Sequence, residues 1–292
     1  MLSSKAMPHP YFGSFGFLAG RADRSPPLPM NLGHRGCAGR APENTLLSFE
    51  RCLAEGGDAI ESDVQVTRDG VPVLLHDEDV GRVTATSRPV EAMTRAELAT
   101  LDAGYHFTID DRGRTEPDDD AAFRGKGVRI PSLEDAFTRF PEARFNLEIK
   151  TAAHDTVARV VELVARFARA DRTLLTAGDD AIMRSLRAEL TSQRVEAATS
   201  ASVSDVVAVI RAAVEDAKPP AEVMALQIPT RFGDRALVTP ALLDYAHRHG
   251  ITVHVWTINE PAEMHRLLDL GVDGLVTDFP ARLRDVIRRR TS

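Results

Sequence analysis

The sequence predicts an α/β protein, and within that class a (β/α)8 TIM barrel with a small insertion after the second strand. From about residue 30, short apolar runs alternate with amphipathic helical stretches. Parallel neighbours need a crossover helix between them, so this alternation indicates a parallel sheet. Eight such strand–helix pairs can be counted, which is the number that closes a parallel sheet into a barrel.

The predicted strands are short, mostly rich in β-branched or long aliphatic residues, and bounded by turns or charges. They cover residues 30–33, 59–66, 145–150, 173–176, 195–199, 223–228, 251–257 and 274–277.

The predicted helices follow these strands and carry end signals. The helix at 46–55 ends at Gly56 and Gly57, and Ser132 opens the helix before the third barrel strand. The later helices run near 153–169, 179–190, 202–215, 240–249, 260–270 and 280–290. Pro240, Pro261 and Pro280 lie in the first turns of their helices, where the backbone N–H that proline lacks would have no partner within the helix.

We expect one domain over residues 28–292, with residues 1–27 as a flexible tail outside the fold. Glycines interrupt the mildly apolar stretch 11–20, which also disfavours a signal peptide. The proline-rich stretch 24–29 is typical of an extended linker.

A long segment, about residues 67–131, separates the second strand from its helix and exceeds an ordinary βα loop. It opens with the turn at Asp69 and Gly70 and an apolar run, which predicts a hairpin. Thr94 and Glu97 have the spacing of a capping box, and an acidic stretch covers 110–120. We expect this insertion at the carboxyl-terminal rim, where barrel active sites are built.

Composition excludes several classes. The formal net charge of −7 argues against a nucleic-acid partner. No apolar run approaches the length of a transmembrane helix, so no stable membrane insertion is expected. Cys37 and Cys52 form no disulfide framework and fit a reducing compartment. A cytoplasmic location is therefore expected ahead of a secreted or periplasmic one, and the oligomeric state stays open.

Three acidic residues and a lysine fall where predicted strands end. Glu61 and Asp63 are two apart on one strand and so share a face, and Glu148 and Lys150 do the same on the next barrel strand. Carboxylates brought together repel unless a cation intervenes, and a hard divalent ion, Mg²⁺ or Ca²⁺, suits oxygen ligands. Ordinary salt bridges at the rim are the alternative reading.

Two histidines also lie at predicted strand ends. Histidine is a common general acid or base, so His34 and His76 could each handle one proton, whereas the other seven histidines are interpreted as structural. Arg35 offers a planar fork suited to phosphate oxygens. Trp256 could form a pocket wall or simply pack. The sequence has no G-x-S-x-G, P-loop or H-E-x-x-H motif.

The loop before the first helix contains Glu43, Asn44 and Thr45. Asn44 or Thr45 would cap the helix. Glu43 would either share that role or support the metal or substrate contacts, and Asp77, next to His76, would support them too.

Taken in order, these residues closely resemble the glycerophosphodiester phosphodiesterase family over about residues 30–285. The resemblance rests on Gly33-His34-Arg35-Gly36, Ala41-Pro42-Glu43-Asn44-Thr45, Glu61-Ser62-Asp63, His76-Asp77, Arg82-Val83-Thr84, Leu147-Glu148-Ile149-Lys150, Val255-Trp256-Thr257 and Thr277-Asp278-x-Pro280. It implies a barrel with a small insertion and a divalent metal held by Glu61, Asp63 and Glu148. It also implies His34 and His76 as the acid–base pair, with Arg35 and Lys150 near the phosphate. From its position at a strand end, Trp256 is expected among the substrate-binding residues.

The sequence departs from the family pattern at two places. The family often has Ser-Phe where this chain has Thr176-Ala177, and Arg-Thr-Thr where it has Arg82-Val83-Thr84. We expect neither departure to touch the proposed machinery, although both could alter substrate preference.

The expected activity is hydrolysis of a small glycerophosphodiester to sn-glycerol 3-phosphate and an alcohol such as choline or ethanolamine. One alternative is a lysophospholipase D-like or glycerophosphoinositol phosphodiesterase, for which residues 81–129 would have to supply an apolar groove or polyol-binding rim. A second is a non-catalytic barrel that binds phosphodiesters.

Overall fold

The structure, a computed structural model, describes residues 9–13, 28–107 and 123–291. Its strands are, in chain order, β1 (Met30–Gly33), β2 (Ala59–Val66), β3 (Pro72–Leu74), β4 (Arg144–Ile149), β5 (Thr173–Thr176), β6 (Ala198–Thr199), β7 (Ala225–Ile228), β8 (Arg231–Phe232), β9 (Arg235–Ala236), β10 (Thr252–Val255) and β11 (Gly274–Thr277).

The helices lie between these strands. They are, in chain order, α1 (Leu46–Ala54), α2 (Arg95–Leu98), α3 (Leu133–Arg139), α4 (Thr156–Arg166), α5 (Asp180–Gln193), α6 (Val203–Glu215), α7 (Pro240–Arg248), α8 (Pro261–Leu270) and α9 (Pro280–Thr291). The predicted end signals act as expected: Thr94 and Ser132 both form capping boxes, and Pro240 and Pro261 occupy first turns.

Within the described residues, eight parallel strands form the barrel in the order β6-β5-β4-β2-β1-β11-β10-β7. A parallel bridge between Ser200 and Ala225 joins the two ends of this order. The predicted (β/α)8 barrel is confirmed. The predicted strands at 195–199, 223–228 and 251–257 are shorter in the structure, because only residues 198–199, 225–228 and 252–255 are paired in the sheet.

Successive side chains along a barrel strand point alternately outward to the helices and inward to the barrel interior. On β2, Ile60 and Val64 pack outward with helix residues such as Phe137 and Val161. The alternate residues Ala59, Glu61 and Asp63 therefore face the barrel interior. Side chains two apart on β2 thus share the interior face, as the sequence indicated.

The amino-terminal end of the barrel is closed by residues 9–13. Tyr11 is 0% exposed and Phe12 is 3% exposed, and both pack with the inward-facing Met30 and Leu32 of β1. Arg144 donates from Nε to the Tyr11 carbonyl oxygen over 2.9 Å. The predicted tail outside the fold is therefore wrong for 9–13, because their apolar side chains fill the open end of the barrel; residues 1–8 and 14–27 lie outside the described residues.

The insertion begins with the predicted hairpin. β3 pairs antiparallel with β2, with Leu74 opposite Val64. The described part of the insertion has its own apolar core, made of Val73, Leu75, Val80, Val90, Met93, Leu98, Ala103, Val128 and Ile130. The acidic stretch 110–120 lies outside the described residues.

A second hairpin, which the sequence did not suggest, follows β7 at the carboxyl-terminal rim. Its strands β8 and β9 pair over only two residues each, and the Phe232 side chain is 77% exposed. Among the described residues, every helix is too short or too polar to span a bilayer.

Candidate active site

The predicted site residues meet at the carboxyl ends of neighbouring barrel strands. Glu61 and Asp63 face inward on β2, and Asp63 lies directly opposite Glu148 of β4 in the parallel register. His34 follows β1, and its backbone N–H donates to the Thr277 carbonyl of β11 over 2.8 Å. Charged residues from several distant segments therefore converge on one rim of the barrel.

The carboxylates and cations form a connected cluster. Lys150 Nζ lies 2.6 Å from Glu148 Oε2 and 3.0 Å from Asp63 Oδ1. Arg35 donates its backbone N–H to Glu61 Oε2 over 2.9 Å, and its Nε lies 3.4 Å from Asp63 Oδ2. The left-handed backbone of Arg35, with φ of 50°, accompanies this arrangement. Asp63 and Glu148 thus contact cationic side chains, whereas the contact to Glu61 comes from a backbone N–H.

The pKa values of the two β2 carboxylates, Glu61 and Asp63, are shifted in opposite directions. Burial, and then the neighbouring charge of Asp63, raises the pKa of Glu61 to about 7. Burial would also raise the pKa of Asp63, but the charges of Lys150 and Arg35 outweigh it and hold that pKa below its usual value. Of these two carboxylates, Glu61 is therefore the one whose charge the protein compensates less.

Asn44 supports Asp63 from the loop before α1. Its Nδ2 donates to Asp63 Oδ2 over 3.0 Å, and its Oδ1 accepts from Ser62 Oγ over 2.6 Å. Thr45, rather than Asn44, caps α1 by accepting from the Ser48 backbone N–H. The sequence left these two residues as alternative caps and did not reveal the contact between Asn44 and Asp63, because it joins positions on separate elements.

His34 is held by Asp278, which follows β11. Its Nδ1 lies 2.7 Å from Asp278 Oδ1, and Asn259 Nδ2 donates to the other carboxylate oxygen over 2.5 Å. Burial would lower the pKa of His34, but the hydrogen bond to Asp278 and the charge of Glu61 outweigh it and raise that pKa. With Nδ1 engaged, Nε2 is the nitrogen that remains for proton transfer.

Asp278 and Asn259 were not singled out as site residues from the sequence. Asp278 does obey the rule that identified the others, since it is a charged residue directly after a barrel strand. Its contact with His34 also holds the pKa of Asp278 below its usual value, although burial acts in the opposite sense.

His76 has a similar partner, the neighbouring Asp77. Its Nδ1 lies 2.6 Å from Asp77 Oδ1, and Arg82 Nε donates to Asp77 Oδ2 over 2.5 Å. Arg82 also contacts both oxygens of Glu43, over 2.6 and 2.7 Å. Arg82 was not singled out as a site residue from the sequence, and the departure from the family pattern in its segment is at the neighbouring Val83.

Glu43 joins this arrangement to Arg35, whose Nη1 donates to Glu43 Oε1 over 2.8 Å. Burial opposes ionisation of Glu43, yet its two arginine partners hold its pKa below the usual value. Trp256 follows β10 at the same rim, and its side chain is 45% exposed.

A metal site can be tested against these donors. Among residues 9–13, 28–107 and 123–291, no three His, Cys, Asp or Glu side chains are arranged to hold one ion. The donor chemistry nevertheless suits a hard divalent ion, because Glu61, Asp63 and Glu148 supply oxygen ligands and the protein compensates Glu61 poorly. The ammonium of Lys150 contacts the other two carboxylates.

Residues 34–282 match the Glycerophosphoryl diester phosphodiesterase family. The chain is 32% identical over 266 residues to "Probable glycerophosphodiester phosphodiesterase 2" of Mycobacterium tuberculosis, covering 89% of this chain and 90% of the relative. It is 28% identical over 279 residues to "Lysophospholipase D GDPD1" of Homo sapiens, covering 89% and 86%.

Solved structures agree with these sequence relatives. A glycerophosphoryl diester phosphodiesterase described as putative, from Silicibacter pomeroyi, superposes with a TM-score of 0.75 at 29% identity over 97% of this chain and 98% of its own. An Oleispira antarctica phosphodiesterase in complex with its product sn-glycerol-3-phosphate has a TM-score of 0.71 at 24% identity, covering 89% and 97%. The chain therefore belongs to the glycerophosphoryl diester phosphodiesterase family and is an enzyme of that class.

Proposed function

We propose that this protein hydrolyses small glycerophosphodiesters to sn-glycerol 3-phosphate and an alcohol, in a metal-dependent reaction with His34 and His76 as the acid–base pair. One observation carries the proposal. Each histidine has its Nδ1 held by a carboxylate, Asp278 or Asp77, at the rim that also gathers the inward-facing carboxylates.

The histidines suit proton transfer to and from a phosphodiester. A carboxylate at Nδ1 fixes the ring and leaves Nε2 to accept or give a proton. One histidine would deprotonate the nucleophile and the other would protonate the leaving alcohol. The attacking group can be water or a hydroxyl of the glycerol, the latter giving a cyclic phosphate, and product analysis separates these routes.

The metal would be held by Glu61, Asp63 and Glu148. Mg²⁺ and Ca²⁺ both take carboxylate oxygens, and the raised pKa of Glu61, about 7, indicates negative charge that the protein leaves poorly balanced. When bound, such an ion supplies a positive charge for the phosphate oxygens. Arg35 and Lys150 would bind and orient the phosphate, Arg35 through its planar fork.

Kinetics of glycerol 3-phosphate release test this proposal. The wild type should release it from glycerophosphocholine or glycerophosphoethanolamine with Mg²⁺ or Ca²⁺, and a chelator should abolish the release. His34→Ala and His76→Ala should each lower kcat by about 10²-fold or more. His249→Ala is the matched control, because His249 is an exposed histidine at the end of α7. Near-normal turnover of both site variants would contradict the acid–base assignment.

A lysophospholipid substrate is a second candidate, favoured by exposed aromatic side chains at the rim. The described apolar residues of the insertion are mostly packed into its own core, so they form no groove there. Phe232 and Trp256, by contrast, are 77% and 45% exposed after adjacent strands. A Phe232→Ala variant should lose activity on lysophosphatidylcholine but keep it on glycerophosphocholine if this candidate is correct.

We also propose a cytoplasmic location. Cys37 and Cys52 are both free and buried, which is compatible with a reducing compartment. Fractionation of cells that express the full chain would test this, and recovery outside the cytoplasm would contradict it.

A further inference from the structure

Arg82 joins two carboxylates that belong to different halves of the site. Its Nε contacts Asp77 over 2.5 Å, while its two terminal nitrogens contact Glu43 over 2.6 and 2.7 Å. Asp77 in turn holds the ring of His76, and Glu43 holds the guanidinium of Arg35. The Arg82 guanidinium therefore links Asp77, the partner of His76, to Glu43, the partner of Arg35.

The two carboxylates come from separate parts of the fold. Asp77 lies in the insertion, just after β3, and Glu43 lies in the loop between β1 and α1. The side chains of Glu43 and Asp77 are only 17% and 29% exposed, so water screens them incompletely. Without Arg82, two adjacent negative charges would repel and the partners of His76 and Arg35 would lose their common anchor.

The stability of the insertion has another source. Its described part is held by its own apolar core around Val80, Val90 and Leu98. The side chain of Arg82 is 45% exposed, and ion pairs of an exposed side chain contribute little to stability. Its bidentate contact with Glu43 instead fixes a geometry, since a guanidinium meets a carboxylate through two parallel hydrogen bonds.

We propose that Arg82 is a positioning residue that sets His76 and Arg35 against the same phosphodiester by holding Asp77 and Glu43. The inference rests on the proposed function, because it assigns Arg82 a role through His76. A misplacement of about 1 Å at a catalytic group can lower turnover by about 10²-fold, so the effect should fall on kcat rather than on stability.

The test compares Arg82→Ala and Arg82→Lys with Arg88→Ala. Arg88 is a matched control, since it also lies in the insertion, is 40% exposed and pairs with a glutamate, Glu97. With the metal supplied, Arg82→Ala should lower kcat by about 10–10²-fold with a smaller change in KM. Arg82→Lys should recover part of the loss, because lysine keeps the charge but not the fork. Thermal midpoints of all three variants should lie close together.

A double variant shows whether Arg82 acts through Asp77. If it does, adding Arg82→Ala to Asp77→Ala should lower kcat by much less than Arg82→Ala does alone. Equal losses in both backgrounds, a loss confined to KM, or Arg82→Ala turnover equal to that of Arg88→Ala would overturn the inference. Failure of the proposed function looks different: the wild type would then release no glycerol 3-phosphate, or His76→Ala would be fully active.

Discussion

The amino-terminal segment 9–13 gives the sharpest test of the fold, because its burial is a property of the structure that the sequence did not indicate. Phe12 is 3% exposed and packs with the apolar interior residues Met30, Leu32 and Ala59. Truncating a buried phenylalanine to alanine costs about 3–5 kcal/mol. For a protein of this size each kcal/mol lowers the thermal midpoint by about 2–4 °C, so Phe12→Ala should lower it by roughly 6–20 °C.

Phe232→Ala is the matched control, since it removes the same side chain from a position that is 77% exposed. Its unfolding free energy should stay within about 0.5 kcal/mol of the wild type. Calorimetry gives both thermal midpoints, and urea unfolding gives the free energies. If Phe12→Ala proves as stable as Phe232→Ala, residues 9–13 do not close the barrel in solution.

Three further predictions concern charge. Burial lowers the pKa of His254 to about 4, so on acidification this histidine is protonated in the unfolded chain before it is protonated in the folded one. The free energy of unfolding therefore falls as the pH drops from about 6.5 to 4, by at most about 3 kcal/mol. In urea unfolding across that range, His254→Gln should lose this part of the pH dependence and the exposed His249→Gln should keep it; identical pH dependence in both would contradict the assignment. Asp278→Asn should lower kcat by about 10²-fold or more with little change in KM, because an amide can reverse the tautomer of His34. Unchanged steady-state kcat would remove Asp278 from the mechanism. Lys150→Met should bind Mg²⁺ or Ca²⁺ more tightly in calorimetry, because the ammonium contacts two of the proposed metal carboxylates over 2.6 and 3.0 Å, and weaker binding would contradict this competition.

The barrel could be predicted because its pattern is local. Strand β2 is observed at the predicted residues Ala59–Val66, since its apolar residues and flanking turns lie within one short stretch. Residues 9–13 were missed because an apolar pair in a glycine-rich stretch carries no period. Their burial depends on the open end of a barrel formed by residues far along the chain. The hairpin of β8 and β9 was missed because its exposed strands have no apolar alternation.

The candidate site, like the fold, has a part that local sequence predicts and a part that depends on distant residues. Glu61 and Asp63 were identified by their spacing on one strand, which a single segment of sequence determines. The contacts of Asn44, Arg82 and Asp278 join residues that are distant in sequence, and no spacing rule indicates which charged side chains will pair. Pairing across elements is therefore what the structure adds.

The two ends of the barrel are connected through the inward face of β2. Ala59 belongs to the apolar cluster around Phe12, and Glu61 and then Asp63 follow on the same face. Burial is the main reason that the pKa of Glu61 rises to about 7, and the apolar cluster around Phe12 adjoins it along the same inward face. Charges interact more strongly where water is excluded, which is the setting in which pre-oriented groups stabilise a transition state. We therefore expect residues 9–13, by closing the far end, to influence the reaction through the environment of Glu61 rather than through contact with the substrate.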